Sequence, residues 1–418
     1  MNKPKAIVIG AGLGGLAVSL RLAALNWNVE IYEQGATAGG KMNRWAKDGY
    51  TFDTGPSLMT IPWIFSELFA SAGEDINDYI KIEAVDPLAS YFFDDGVHFQ
   101  MSAALPEWLK AIRKLYLRDE QGFLKFMRLG SRIFSLSAQT FFQRAPFEPP
   151  DKKTLLALFN MPLRHAWGRY DQTIKYFFKS PYLQKMYERF PTYIGSSPFL
   201  TPATLMVIPF LEHAFGGWYI KGGMYELVES LIDLIKKMGV RLNNSQAVER
   251  IVSRNRRVQG IELSNGAFHE CDVVIMNGDA SMTGIMLGKS GASPLQESER
   301  SLSGFILLLG IKRRLPDQAQ HTVYFSNDYQ AEFNDLFNTR CFPEDPTVYV
   351  NMPSKNDRTV VPPGGETLFI MANAPANDNE IWDDQEIDAA SRRVMQRLKK
   401  SGFPDIDNDI VVSSVWTP

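Results

Sequence analysis

Residues Lys5 to Glu33 read KAIVIGAGLGGLAVSLRLAALNWNVEIYE. Ala6 to Ile9 is a short apolar, β-branched run, the pattern of a buried strand. Gly10, Gly12 and Gly15 follow at once in G-x-G-x-x-G spacing, with Leu13 and Gly14 between them. Leu16, Ser19, Leu20 and Ala23 then recur at helical spacing, and Val29 and Ile31 begin a second strand that Glu33 closes. Each part has a physical task. Gly10 makes a tight turn, Gly12 offers no side chain to hold a pyrophosphate away, and Gly15 lets the helix pack on the strand. The helix N-terminus presents free N–H groups and its positive dipole end to phosphate.

Glu33 lies 18 residues after Gly15, at the end of the second strand. A carboxylate there accepts hydrogen bonds from ribose hydroxyls and disfavours a 2′-phosphate, so NADP is less suited than NAD or FAD. A glycine triplet alone is a weak signal. Strand, glycines, helix, strand and acid in this order are a strong one. Met1 to Ala24 has the lysines, apolar stretch and small residues of a secretion signal. The glycines, however, interrupt the apolar centre such a signal needs.

At 418 residues the chain is too long for one simple core, and two domains are the natural expectation. A net charge of −3 gives no overall basic field for nucleic acid. Cys271 and Cys341 form neither a framework nor a C-x-x-C pair, which fits a reducing cytoplasm. The five histidines show no metal-ligand spacing, so no metal is expected. No apolar run reaches about 18 residues, so no membrane span is expected. Twenty-seven Phe and sixteen Met point to a large apolar core or an apolar cavity.

After Glu33 and Gln34, the residues Gly39, Gly40, Lys41 and Met42 make a second glycine-rich turn carrying a cation, suited to another approach to pyrophosphate. Tyr50 to Asp53 then leads into Thr54, Gly55, Pro56 and Ser57, a strand ending in a tight turn that can lie against a flat ring. Taken together, GAGLGG, Glu33, GGKM and GYTFDTGPS resemble the N-terminal flavin site of the FAD-dependent amine oxidase and carotenoid desaturase superfamily. The resemblance implies FAD, with Glu33 on the adenosine ribose, Gly39 to Lys41 near the phosphates, and Gly55 and Pro56 near the flavin.

Further on, Ile61 to Tyr79 reads as helix, and ASYFFDDGVHFQM turns as a hairpin at Asp95-Gly96. Pro106 to Ser137 is helical, and Arg144 to Lys153 is a Pro-rich loop. Thr154 to Phe215 interleaves aromatic residues with lysines and arginines. That pattern suits either a membrane surface or a core with a solvated face. Tyr225 to Met238 is an amphipathic helix with Gly239 as its C-cap. Strands follow at Val240 to Leu242, Ala247 to Val252, Val258 to Leu263 and Val273 to Met276.

Here the resemblance narrows to the bacterial carotenoid desaturases. It is carried by Gly217, Tyr219 and Gly222-Gly223-Met224, by Val248 with Ile251, and by Val273-Val274 with Asn277 and Asp279. It places Val248 beside the adenine and adds Asn277 and Asp279 to the cofactor site. Asp345 to Val350, Pro353 to Asp357 and Pro362 to Glu366 are similar to the same family. Thr347 to Met352, Thr367 to Ala374 and Phe305 to Ile311 would be neighbouring strands of a tunnel wall.

The expected fold class is α/β: a Rossmann-like FAD-binding domain, a discontinuous mixed-sheet substrate domain and a helical membrane-associating subdomain. Their expected bounds are 1–85 with 216–300, 86–150 with 301–418, and 151–215. Family members carry a further segment after the point where this chain ends at SSVWTP, so a truncated chain with weak flavin retention is expected. The resemblance implies carotenoid desaturation by hydride transfer to flavin, phytoene being the leading substrate. It also implies quinone or oxygen as electron acceptor and a peripheral position on the inner face of the cell membrane. A 1-hydroxycarotenoid 3,4-desaturase is the nearest alternative, to which IMANAPAN (370–377) leans; a carotene isomerase or an inactive flavin-fold fragment would be others. No acid–base constellation stands out. Arg169 and Asp171 read as an ordinary surface pair, and no catalytic residue is assigned.

Overall fold

The computed structural model describes residues 3–140, 148–149, 151–159, 168–295, 300–376 and 382–418. Half of the Arg144 to Lys153 loop, together with Arg164, Trp167 and Asn377, lies outside the described residues. The chain forms two compact units. One gathers Met1–Ala84, Trp218–Arg300 and Asn356–Thr367, and the other Val85–Gly217, Ser301–Lys355 and Leu368–Pro418.

The first unit is built on a four-stranded parallel sheet. Its inner strands are β1 (Lys5–Ile9) and β2 (Asn28–Tyr32), and its outer strands are Val273–Met276 and Arg241–Asn243. The β1 segment is short and apolar because both faces are covered, and Ala6, Ile7 and Val8 are fully buried. Helix α1 (Leu13–Ala24) buries Gly15, Leu16, Ser19 and Leu20 against the sheet. It ends at Asn26, which adopts φ 66° while the Trp27 N–H donates back to the Leu22 carbonyl, a Schellman-type stop. Helix Glu226–Lys237 packs on α1 through Leu227, Leu231, Leu234 and Ile235. Gly239 closes it at φ 83°, with the Val240 N–H donating to the Ile235 carbonyl. A three-stranded antiparallel sheet of Val248–Arg254, Arg257–Leu263 and Phe268–Glu270 completes this unit's larger elements.

Ile61 to Tyr79 is not one helix. The helix runs from Trp63 to Ala70, and a separate turn forms at Ile76–Asp78. Gly73, at φ 79°, stops the first segment, and Asp75 caps the second by accepting from the Asn77 N–H.

The second unit holds a seven-stranded mixed sheet. Its strand order is Ile410–Trp416, Ser303–Ile311, Glu366–Ala374, Val348–Asn351, His321–Tyr324, Ala89–Phe92 and His98–Met101. The edge strand Ile410–Trp416 carries only a weak apolar alternation in sequence, and its position comes from pairing with Ser303–Ile311. Helices Leu105–Leu115, Asp119–Thr140, Tyr170–Phe177, Pro181–Glu188 and Val207–Phe215 share one core with this sheet, built from Trp108, Phe126, Tyr170, Phe178, Tyr187 and Phe325 among others. Residues 151–215 therefore belong to the same compact unit as the sheet, and Asn356–Thr367 returns to the first unit. Most aromatics between Tyr170 and Phe190 are core, not surface. Asp171 is likewise no surface residue. It is 3% exposed, and its carboxylate accepts two hydrogen bonds from Arg169 at 2.9 and 2.8 Å.

Helix Asp384–Lys400 covers the sheet's other face with Ala390, Val394 and Leu398. Between them Arg397, 2% exposed, pairs with Asp94 and Asp345. Arg397 is fully enclosed, whereas Asp94 and Asp345 keep access to water, so its loss removes charge-assisted bonds without stranding either carboxylate. Arg397→Ala is expected to destabilise the protein by about 1.5–3 kcal/mol, read as a lower denaturant midpoint. An unchanged midpoint would show that the pair adds nothing.

Candidate cofactor site

The glycine-rich turn lies at the carboxyl end of β1. Gly10 takes φ 94°, which a side chain would resist, and its N–H donates to the Tyr32 carbonyl. A Cβ on Gly15 would stand 2.1 Å from the Gly10 carbonyl oxygen, so only glycine lets α1 start this close to the strand. Gly12 is the N-cap of α1, and the first turn of that helix carries no acidic side chain. Its free N–H groups and dipole thus remain available to an anion. The Asn277 side chain lies over this turn, its Nδ2 donating to the Gly10 carbonyl.

Glu33 closes β2 and reaches back to the same turn. Its carboxylate accepts the Ala11 N–H and the Gly35 N–H, each at 2.8 Å. Ala11 is a site residue that the glycine spacing does not single out. The chain around Glu33 is clamped by residues far along the sequence: the Glu33 N–H donates to the Asn243 carbonyl, and the Gln246 N–H donates to the Glu33 carbonyl. Segment 243–246 leads directly into Val248, which opens the antiparallel sheet. Gln34 is exposed beside it.

The second and third turns stack on the first. The Gly39 N–H donates to the Ala11 carbonyl, and Gly40 approaches Gly12 closely. A Cβ on Gly55 would fall 1.9 Å from the Lys41 carbonyl oxygen, which fixes the Thr54–Ser57 turn against the Gly39–Met42 turn. Met42 is buried under them, whereas Lys41 and Pro56 are exposed. Asp279 is exposed, and two hydrogen bonds from Ser281, with Lys41 as a nearby positive charge, hold its carboxyl below the ordinary range. All the residues expected at the cofactor site are therefore brought to one end of the parallel sheet or onto the turns stacked there, with Val248 on the adjoining strand.

Sequence reasoning missed the carboxylate that ties this site to the rest of the unit. Asp53 accepts the Met224 N–H at 2.7 Å and the Tyr225 N–H at 3.1 Å, capping helix Glu226–Lys237 from another element. Burial pushes its carboxyl up to about 6, although both N–H groups pull the other way. Arg44 pairs with Glu226 and Glu229 at 3.0 and 2.5 Å and lies over the Tyr225 ring, whose hydroxyl donates to the Ala38 carbonyl. Asp357 accepts the Gly222 N–H. No signal in sequence pairs FDTGPS with KGGMYE, two segments whose contact only the fold reveals.

The site is a cradle of backbone donors at a helix start, lined by glycines whose missing Cβ atoms leave the approach open, with a carboxylate at the ribose distance along the chain. It fits a dinucleotide cofactor. Comparison with known proteins gives that cofactor. The model of the flavin containing amine oxidoreductase family matches residues 13–418. The chain is 31% identical to the 4,4'-diapolycopene oxygenase of Methylomonas sp over 426 residues, covering 100% of this chain and 85% of the relative. It is 33% identical to the 1-hydroxycarotenoid 3,4-desaturase of a Flavobacterium species over 422 residues, covering 99% of this chain and 85% of the relative. Two solved structures share the fold: an oxidoreductase from Methanosarcina mazei (TM-score 0.65, 16% identity, 99% of this chain and 88% of that one) and a redesigned putrescine oxidase (TM-score 0.62, 13% identity, 99% and 84%). The chain belongs to the flavin-containing amine oxidoreductase family, among its bacterial carotenoid desaturase-type FAD enzymes. It is an FAD oxidoreductase with a mixed-sheet α/β flavin fold.

Two outcomes test the site. Glu33→Gln removes a charged acceptor worth about 1.5–3 kcal/mol, so FAD is expected to bind roughly tenfold or more weakly in a flavin-fluorescence titration. Unaltered affinity would remove Glu33 from the site. The raised Asp53 carboxyl has the opposite linkage to an ordinary acid. Its folded value of about 6 lies above the unfolded value near 4, so its contribution is present at low pH and lost as pH rises through 6. The thermal midpoint of the wild type relative to Asp53→Asn is expected to fall between about pH 4 and 6. A flat difference would disprove the assignment.

Proposed function

We propose that the protein desaturates a carotenoid, removing two hydrogens from an allylic CH2–CH2 unit, with FAD as the oxidant. The observation that carries this reading is the glycine cradle closed by Glu33, in a chain matched over its whole length by relatives named for carotenoid chemistry. Gly10, Gly12, Leu13, Gly14 and Gly15 would hold the pyrophosphate at the start of α1. Glu33 and Gln34 would take the adenosine ribose, and Val248 the adenine edge. Gly39 to Met42, Thr54 to Ser57, Asn277 and Asp279 would hold the rest of the cofactor. Bound FAD supplies a two-electron acceptor for hydride.

The chain's own part is binding, orientation and exclusion of water. A polyene offers no group with a useful pKa, so the aromatic interior of the second unit suits the task better than an acid–base pair would. The exposed apolar side chains support docking on a lipid surface, from which both an apolar substrate and a quinone acceptor could be drawn. On helix Lys152–Phe159, Leu155, Leu156 and Phe159 are 54%, 65% and 90% exposed beside Lys152 and Lys153. Among the described residues no helix is long and apolar enough to cross a membrane. We infer a peripheral position on the cytoplasmic face of the cell membrane, with quinone or oxygen reoxidising the flavin.

Oxygenation is a second reading, favoured by the names of the Methylomonas relative and of a 4,4'-diaponeurosporene oxygenase from Staphylococcus aureus. The protein loaded with FAD and mixed with liposomes carrying phytoene or a 1-hydroxycarotenoid separates the two. Desaturation is expected: products lose hydrogen pairs in mass and shift to the red in absorbance. A gain of oxygen in mass would replace it with the second reading, and a product of unchanged mass would point to isomerisation.

A further inference from the structure

Apolar and aromatic side chains fill most of the second unit, and among the polar clusters that interrupt them one is short of partners. Arg189 follows helix Pro181–Glu188, and its guanidinium carbon stands 5.5 Å from the ring centre of Tyr193 and 5.2 Å from that of Tyr349. Two aromatic faces satisfy the charge in part. They do nothing for the five N–H donors, which require acceptors. Among the described residues no hydrogen bond or ion pair is made by this side chain. Other cations of the same unit do have oxygen partners. Lys185 donates to the Ser326 and Asn327 carbonyls, and Arg397 pairs with Asp94 and Asp345.

Two neighbours also carry unused polar atoms. Glu212 is 3% exposed and its Oε1 has no hydrogen-bond partner. Burial pushes its carboxyl up to about 7, against the pull of Tyr193 and the Arg189 charge. His321 is 3% exposed, its Nδ1 lies 2.7 Å from the Tyr349 hydroxyl, and its Nε2 has no partner. Burial and the Arg189 charge hold His321 uncharged at neutral pH. Unsatisfied buried polar atoms cost free energy. Glu212 Oε1 and His321 Nε2 are buried in that state, and both groups feel the Arg189 charge. Arg189 itself is only half-buried, so a ligand atom can reach it.

We infer that Arg189, framed by Tyr193 and Tyr349, binds an oxygen atom carried by the substrate: a hydroxyl or carbonyl on an otherwise apolar polyene. The assignment rests on the carotenoid reading above and adds to it the class of carotenoid. The guanidinium donates to the oxygen, and the tyrosine rings pack against the adjoining hydrocarbon. Glu212 Oε1 is placed to accept from a hydroxyl hydrogen. A pure hydrocarbon in the same place gives the guanidinium and Glu212 Oε1 no partner. Sites built to hydrogen-bond an oxygen reject the analogue lacking it far more strongly than apolar pockets reject an extra methylene.

The test uses the full chain loaded with FAD in detergent, with binding followed by quenching of tryptophan fluorescence. The probes are an acyclic carotenoid bearing a terminal hydroxyl or aldehyde and the hydrocarbon of the same chain length. The oxygen-bearing polyene is expected to bind at least about tenfold tighter, the worth of one net hydrogen bond. Arg189→Leu is expected to bring its affinity down to that of the hydrocarbon, and Arg189→Lys to keep part of the preference. Equal affinities in the wild type overturn the proposal, as does a preference that survives in a flavin-loaded Arg189→Leu. Should that variant not fold, the wild-type comparison decides alone. Binding of neither polyene sinks the carotenoid reading itself, and the assignment with it.

Discussion

Where a Cβ on Gly15 would stand, the carbonyl oxygen of Gly10 lies 2.1 Å away. That contact of backbone on backbone sets the distance between β1 and α1, and much of the first unit follows from it. With the helix start held so close, the Gly39–Met42 turn can reach Ala11, and the Thr54–Ser57 turn can lie on Lys41. Asp53, just before that last turn, then carries the path to helix Glu226–Lys237. The nucleotide cradle is thus a stack of main-chain surfaces. Its side chains mostly brace the turns.

This explains what the sequence reveals and what it conceals. The β1–α1–β2 unit is legible because glycine spacing, apolar periodicity and a terminal acid all lie within one continuous stretch. Glu33 and the two later turns are legible for the same reason. Ala11 is not, since its contribution is an N–H that any residue carries. Asp53 is hidden differently. Its role depends on residues some 170 positions away, and nothing in FDTGPS announces a partner there. The break at Gly73 was available in sequence, but a helical period on either side of it masked a single φ above zero.

The aromatic stretch from Tyr170 to Phe190 shows the limit of composition. Interleaved aromatics and cations fit a membrane face and a core equally well, because periodicity does not say what covers a face. The structure turns Tyr170, Phe178, Tyr187 and Phe190 inward and leaves apolar exposure to Leu155, Leu156 and Phe159. Asp171 looked superficial for a related reason: charge in a sequence reads as surface until the fold provides a partner such as Arg169. Arg189 was one of several cations in that stretch. Only the positions of Tyr193 and Tyr349 set it apart.

The strand order of the parallel sheet has a consequence for synthesis. Its two inner strands are made first, within the first 32 residues, and both outer strands come only at Arg241–Asn243 and Val273–Met276. At translation rates of about 5–20 residues per second, the nascent chain carries β1 and β2 for roughly 10–40 seconds before either outer edge has its partner. An apolar ribbon with two open edges is a template for wrong pairing. The second unit's helices emerge from the ribosome during that interval, before the first unit can close. The cell's chaperones therefore meet this protein with its nucleotide fold half-built, and its yield depends on how well those edges are kept apart.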